Sequence, residues 1–287
     1  MTGIALTALT LIAFASNSLL CRMALRGDLI DPLSFTALRL VSGAGVLLFA
    51  SQVIPQPAAS NDSKGSWVSG IALFTYAVSF SLAYLSLATG MGALILFGSV
   101  QVTMMAAALN SGENLSPIQW LGAVAAVGGL VYLVLPGLSA PDPLGAVLMG
   151  ASGAAWGVYS IRGKGVSSPV AMTAGNFLRS SPLAVITSLM ALRSAHLQPS
   201  GVLLALISGG LTSGVGYVLW YKALGKLTTT QASLVQLLVP VLAAFGGVVF
   251  LSEHVSTRLI TSSALMLGGI ALAVSKRHAI AAWNRRG

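Results

Sequence analysis

An all-α integral membrane protein, with ten transmembrane helices arranged as two inverted five-helix repeats, is the fold the sequence predicts, and three observations predict it. Hydrophobic residues make up 55% of 287 and charged residues 7%, with a mean hydropathy of +0.87, a composition suited to lipid. The apolar residues gather into ten runs of about 20 residues, the length that carries a helix across ~30 Å of hydrocarbon with its backbone groups paired inside the segment. The two halves also echo each other. At an offset of about 140 residues, Glu113 and Ser116 fall on Glu253 and Ser256, Gly128-Gly129 on Gly268-Gly269, and Leu38-Arg39 on Leu178-Arg179. Shared order along the chain marks a duplication.

The first run, roughly 3–25, carries Phe14, Ser16 and Asn17 among its apolar residues. Its "AFAS" (Ala13 to Ser16) looks like a cleavage site, yet no Lys or Arg precedes Arg22, and a secretory leader opens on a basic segment. The run is therefore read as a span. Pro32 stands before the second run (33–52), where a missing amide donor costs little, and Arg39 lies within it. "QPAASNDSKGS" (Gln56 to Ser66) is the longest polar stretch and reads as a loop. In the third run (67–87) Tyr76, Phe80 and Tyr84 recur every four residues and share one face. The fourth (91–110) holds Gln101, and Pro117 stands at the start of the fifth (116–135).

Pro143 opens the sixth run (143–161), in which Trp156 and Tyr159 share a face and Gly153 and Gly157 are spaced for close helix approach. Pro169 opens the seventh (169–192), which contains Asn176, Arg179 and an internal Pro182. The eighth (201–222) repeats the aromatic face with Tyr217, Trp220 and Tyr221, and adds the small pair Gly210 and Gly214. The ninth (230–251) holds Gln231, Gln236 and Pro240, and the tenth (256–275) closes the second half. Pro182 and Pro240 free the carbonyls of Leu178 and Gln236, and interrupted helices commonly flank transporter sites.

Residues 1–137 thus form the first repeat, 143–275 the second, and 276–287 a basic tail. Five is odd, so two copies in series enter the membrane in opposite senses. With both ends inside, the inner connections and the tail hold Lys64, Arg162, Lys164, Lys222, Lys226, Lys276, Arg277, Arg285 and Arg286. The outer connections hold only Arg22, Arg26, Arg193 and Arg258. The positive-inside rule then predicts a cytoplasmic amino terminus and a cytoplasmic tail, and the net charge of +9 is an orientation signal, not a nucleic-acid footprint.

The turns "SGENLS" and "LSEHVS", each followed by a helix with Gly-Gly, and above all "LVPVLAAFGGVVFLSE" (Leu238 to Glu253), resemble the EamA-type repeat of the drug/metabolite transporter superfamily. The first copy departs from the pattern at Val100, which stands opposite Pro240. The resemblance covers essentially the whole chain, which is similar to YddG-type and related amino-acid exporters, ten-helix inner-membrane proteins that move amino acids outward. It implies an exporter or facilitator of small metabolites. Nucleotide-sugar, phosphorylated-metabolite and drug carriers of the same superfamily are the alternative.

All six acidic residues (Asp28, Asp31, Asp62, Glu113, Asp142, Glu253) and the three histidines (His196, His254, His278) fall in or beside connections. An intramembrane hydrolase needs a base, a proton relay a titratable group at depth, and a carrier of cations an acid among its helices. The sequence therefore points away from an enzyme, calls for no cofactor or metal, and favours facilitated diffusion over proton coupling.

What the interior does offer is aromatic faces, amides and an arginine. The cavity candidates are Asn17, Tyr76, Phe80, Tyr84, Gln101, Trp156, Tyr159, Arg179, Tyr217, Trp220 and Gln236. Arg179 lies roughly ten residues into its run, ~15 Å deep. There it can hold a carboxylate bidentately or reach to an interface. Arg39, nearer its helix end, is the stronger case for the interface. Such a set suits small zwitterions with apolar or aromatic side chains, amino acids in broad range among them. The expected partners are a small-molecule substrate and membrane lipid, without nucleic acid, and a monomer is compatible with the pattern.

Overall fold

A computed structural model of the chain describes residues 3–54, 64–110, 112, 116–137, 140–163, 166–224, 235–236 and 238–275. Asp62, Glu113, Lys164, Lys226, Gln231 and the basic tail over 276–287 lie outside the described residues. Ten helical rods follow in order: α1 Gly3–Arg26, α2 Pro32–Val53, α3 Trp67–Ala83, α4 Thr89–Asn110, α5 Pro117–Val134, α6 Pro143–Arg162 and α7 Pro169–Met190, then α8, α9 Leu238–Leu251 and α10 Thr257–Ser275. α8 is continuous but made in three pieces, Pro199–Leu206, a π-helical stretch Ile207–Val215, and Gly216–Leu224. Among the described residues there is no strand, only an isolated bridge between Ile30 and Leu197. α1, α2, α4, α5, α6 and α8 are each long and apolar enough to cross a membrane, and α3, α9 and α10 are shorter apolar helices.

Helix starts follow from local chemistry. Pro32, Pro117, Pro143, Pro169 and Pro199 each open a helix, where the fixed φ suits the first turn. The orphan amides that follow are taken up by side chains. Asp31 accepts from Leu33 and Ser34, Ser66 from Ser69, and Asp142 from Gly145, while Ser116 and Gln119 form a reciprocal capping box. One end differs from the sequence expectation. α3 stops at Ala83 instead of running to 87, because the chain turns at Tyr84 while Tyr84 and Leu87 stay 0% and 1% exposed. The apolar run outlasts the helix because the turn itself is buried.

The inversion is visible in which ends meet. Arg22, near the end of α1, donates to the Tyr84 and Leu85 carbonyls beyond α3, and Arg26 donates to the Leu251 carbonyl ending α9. Ser86 donates to Asp142, the cap of α6, so the end of α1 and the start of α6 share a face. The connection before α2 also pairs with the one before α8, through Asp31 N–H to the His196 carbonyl and Gln198 N–H to the Leu29 carbonyl. On the opposite face Arg179 of α7 donates to the Lys64 carbonyl, and Arg162 at the end of α6 donates to Ser66 and Ser69 at the start of α3.

Packing follows the same pseudo-twofold relation. α1 lies against α8 and α9 as α6 lies against α3 and α4, whereas α2–α7, α4–α9 and α5–α10 each pair a helix with its own counterpart. The Gly-Gly matches explain the last of these. A Cβ on Gly129 would meet Leu265 and Met266, and one on Gly269 would meet the backbone of Gly122 and Ala126, while Gly128 and Gly268 face open space. In each pair only the second glycine faces the partner helix.

Candidate functional site

The rods leave a slot at the middle of the bundle, where the two halves meet. Phe14, Asn17 and Ser18 of α1, Arg39 of α2, Tyr76 and Phe80 of α3, and Leu96 and Phe97 of α4 line it from the first half. Trp156 of α6, Thr212, Ser213 and Tyr217 of α8, and Gln236 just before α9 line it from the second. The cavity between these atoms measures about 30 Å³, room for roughly two waters. The slot is narrow in this state, and a larger solute requires the rings or the halves to move apart.

Aromatic rings form its wall, with Trp156 as the hub. Its ring centroid lies 5.4 Å from Tyr217 in a stacked arrangement, 5.4 Å from Tyr159, also stacked, and 4.9 Å from Tyr76 at a 44° tilt. Phe14 meets Tyr217 edge-on at 6.0 Å, and Phe80 meets Tyr84 edge-on at 4.7 Å. Rings from α1, α3, α6 and α8 thus interlock across the repeat boundary. Flat faces with a polar rim suit an apolar or aromatic side chain.

The polar groups are placed by close backbone approach. A Cβ on Gly43 would strike the Phe177 ring and the Gly209 carbonyl, and one on Gly209 would strike the Arg39 backbone, so α2 and α8 touch through glycine. The π-helical stretch begins at this contact, and such widened turns recur at functional sites. It brings Thr212 and Ser213 to the slot. Ser208 donates to Asn17 Oδ1 at 2.6 Å and Thr212 donates to it at 3.4 Å, tying α1 to α8. Ser152 of α6 donates to the Tyr76 carbonyl at 2.9 Å, tying α6 to α3.

Six of the residues proposed from sequence, Asn17, Tyr76, Phe80, Trp156, Tyr217 and Gln236, come together on this lining. Tyr84, Tyr159 and Trp220 lie one layer back. The Tyr84 hydroxyl donates to the Thr89 carbonyl, the Asn176 amide donates to the Tyr159 hydroxyl, and Trp220 packs with Leu6 and Ala223 behind Phe14. Gln101 is only partly buried on α4, away from the lining, and the side chain of Tyr221 lies outside the described residues.

The two arginines exchange the places the sequence gives them. Arg179 bends back along α7 to its own Gly175 carbonyl and to Lys64, at the bundle edge. Arg39 is 2% exposed and reaches the slot. Its Nη2 donates to the Tyr76 hydroxyl at 2.9 Å and its Nε to Ser213 Oγ at 3.4 Å, with the guanidinium 5.3 Å from the Tyr76 centroid and 4.9 Å from that of Phe80. Phe14, Ser18, Arg39, Leu96, Phe97, Thr212 and Ser213 are the lining residues absent from the sequence-based set. Phe14 carried a signal, since with a small gap it aligns with Trp156 in the repeat.

An ion pair joins the halves near the end of α1. Arg22 Nε lies 3.4 Å from Glu253 Oε1, and Glu253 Oε2 accepts from the Thr89 amide at 2.8 Å. The carboxylate thereby also caps the start of α4, where a negative charge is favoured. Ser252, with φ at 51°, turns the chain so that Glu253 points back inward, and Gly112, at the matching place before Glu113, has φ at 79°.

The EamA-like transporter family matches residues 1–135 and again residues 143–275. An uncharacterized protein of Pseudomonas aeruginosa is 48% identical over 272 residues, 95% of this chain and 94% of its own. An uncharacterized transporter of Archaeoglobus fulgidus is 25% identical over 215 residues, 70% of this chain and 74% of its own. A solved crystal structure with 23% sequence identity superposes with a TM-score of 0.66, covering 96% of this chain and 97% of its own, and shares the fold.

Proposed function

The chain belongs to the EamA-like transporter family, a family of membrane transporters, and from that premise we propose that it is a carrier of amino acids with apolar or aromatic side chains. The observation that carries this reading is the slot between the inverted halves, walled by Phe14, Tyr76, Phe80, Trp156 and Tyr217 and edged by amides and hydroxyls. An apolar side chain would lie against the rings while its charged ends take hydrogen bonds at the rim. The repeats at 1–137 and 143–275 would rock about the axis through α2–α7, α4–α9 and α5–α10, opening the slot to each side in turn. The loop charges support cytoplasmic termini, and the direction we propose is outward across an inner membrane.

Movement down a gradient is the favoured energetics, because every acidic residue lies in or beside a connection. Uptake of labelled phenylalanine, methionine and threonine into proteoliposomes, with and without an imposed pH gradient, tests both parts. Saturable uptake indifferent to the gradient is expected. Accumulation driven by the gradient would overturn the energetics, and no uptake of any of the three would overturn the substrate class.

A further inference from the structure

Among the described residues, Arg39 sits in the slot as a cation with no acid paired to it. Its burial is nearly complete, and Nη1 is enclosed with no hydrogen-bond partner. Among the described residues the ion pairs are Arg22 with Glu253 and His196 with Asp28, both near the ends of helices and neither involving Arg39. The groups it does meet, Tyr76 Oη, Ser213 Oγ and two ring faces, are neutral. A guanidinium keeps its proton in proteins and carries five donors, so taking it out of water is expensive unless an anion answers it. The contacts to Tyr76 and Ser213 hold the guanidinium and leave three N–H groups, of which one on Nη1 and the second on Nη2 form a forked donor pair. That is the geometry that grips a carboxylate through two parallel hydrogen bonds.

We propose that Arg39 is the anchor for a carboxylate on the transported molecule, which thereby serves as the counter-ion that Arg39 lacks among the described residues; the proposal rests on the carrier reading above. It makes the anion a requirement and the side chain a preference. With its carboxylate on Arg39, a substrate would extend its side chain past the Tyr76 ring to Trp156, 4.9 Å away. A single guanidinium suits a monoanion and not a multiply charged phosphate ester, which needs several cations. The anchor also explains why the repeat-related Arg179 is not interchangeable with it, since that side chain is committed to two backbone carbonyls.

The test sets four aromatic compounds against purified protein by thermal shift and by competition with labelled phenylalanine uptake: phenylalanine, 3-phenylpropionate (carboxylate without ammonium), phenylalaninamide and phenethylamine (ammonium without carboxylate). Wild type is expected to bind the two carboxylates and to bind the other two at least ~10-fold more weakly, the least that a lost charge-assisted pair implies. Arg39→Gln should raise the KM for phenylalanine at least ~10-fold and abolish the discrimination, and Arg39→Lys should restore it in part. If phenylalaninamide and phenethylamine compete as well as phenylalanine in wild type, the anchor is wrong while the amino-acid reading stands. If 3-phenylpropionate binds through Arg39 but phenylalanine is not transported, the anchor stands and the amino-acid reading falls. Binding of none of the four overturns both. The comparison within wild type needs no variant, so a misfolded Arg39→Gln does not rescue the proposal.

Discussion

Asn17 shows how a single polar side chain can join the two halves. Its Oδ1 takes the hydroxyls of Ser208 and Thr212, all buried, so α1 of the first repeat is tied to α8 of the second beside the slot. Asn17→Leu should strand the Ser208 hydroxyl, whereas Thr212 keeps its 2.8 Å bond to the Ser208 carbonyl. The expected loss is ~1–2 kcal/mol, read as a lower thermal midpoint in detergent, since hydrogen bonds between membrane helices are worth about that much or less. Asn17→Asp would place an uncompensated acid within reach of Arg39's field and should quench anion binding. Residue-level reading of the sequence found Asn17 because an amide amid apolar residues needs a partner. It ranked Arg179 above Arg39 by depth in the run, because position along a helix was all it had and only the packing of neighbours decides which of two repeat-related arginines turns inward. For Arg39 that neighbour is the backbone of Gly209, which lets α8 close in and present Ser213.

At the level of elements, the paired glycines of α5 and α10 give a clean contrast. Gly269→Leu would drive a side chain into the Gly122 and Ala126 backbone, whereas Gly268→Leu projects into open space toward lipid. The first should destabilise by several kcal/mol, as overpacking at a tight contact does, and the second by less than ~0.5 kcal/mol. Thermal unfolding of the two variants checks this. Turn chemistry is testable in the same way. Ser252 holds a left-handed φ of 51°, so Ser252→Gly should be neutral or stabilising by up to ~1 kcal/mol, and Ser252→Val destabilising. Helix starts were legible because prolines and capping side chains act locally. The π-helical stretch in α8 was not, because nothing in "ISGGLTSGV" distinguishes a widened turn from a glycine-rich α-helix until α2 packs against it.

For the molecule as a whole, the fold was legible because two signals of different kind agree. Hydropathy gave the spans, and an odd-numbered repeat gave their inversion. The site was only half legible, since periodicity says which residues share a face but not which face turns toward the other repeat. The inverted arrangement also predicts how the slot opens. Arg22 with Glu253 and the Thr89 amide joins α1, α4 and the α9–α10 turn across the halves on one face. In a Cys21→Ser background, Ser18→Cys places a thiol in the slot one turn below Arg22. A membrane-impermeant thiol reagent applied from that face should label it slowly, and measurably faster once Glu253→Gln removes the ion pair. Equal rates would mean that this pair does not hold the face shut.

The central claim is that the aromatic slot between the halves is where the solute binds, and the most direct measurement is phenylalanine uptake by Trp156→Ala beside Trp120→Ala. Trp120 is 49% exposed at the start of α5, away from the slot, so its loss controls for the removal of a tryptophan from the bundle. Trp156 touches Tyr76, Tyr159 and Tyr217 at the centre. The account predicts a KM raised at least ~10-fold in Trp156→Ala, equivalent to the ~1.4 kcal/mol or more that a stacked ring contributes, and an unchanged KM in Trp120→Ala. Identical saturation curves for wild type and both variants would place the binding site elsewhere.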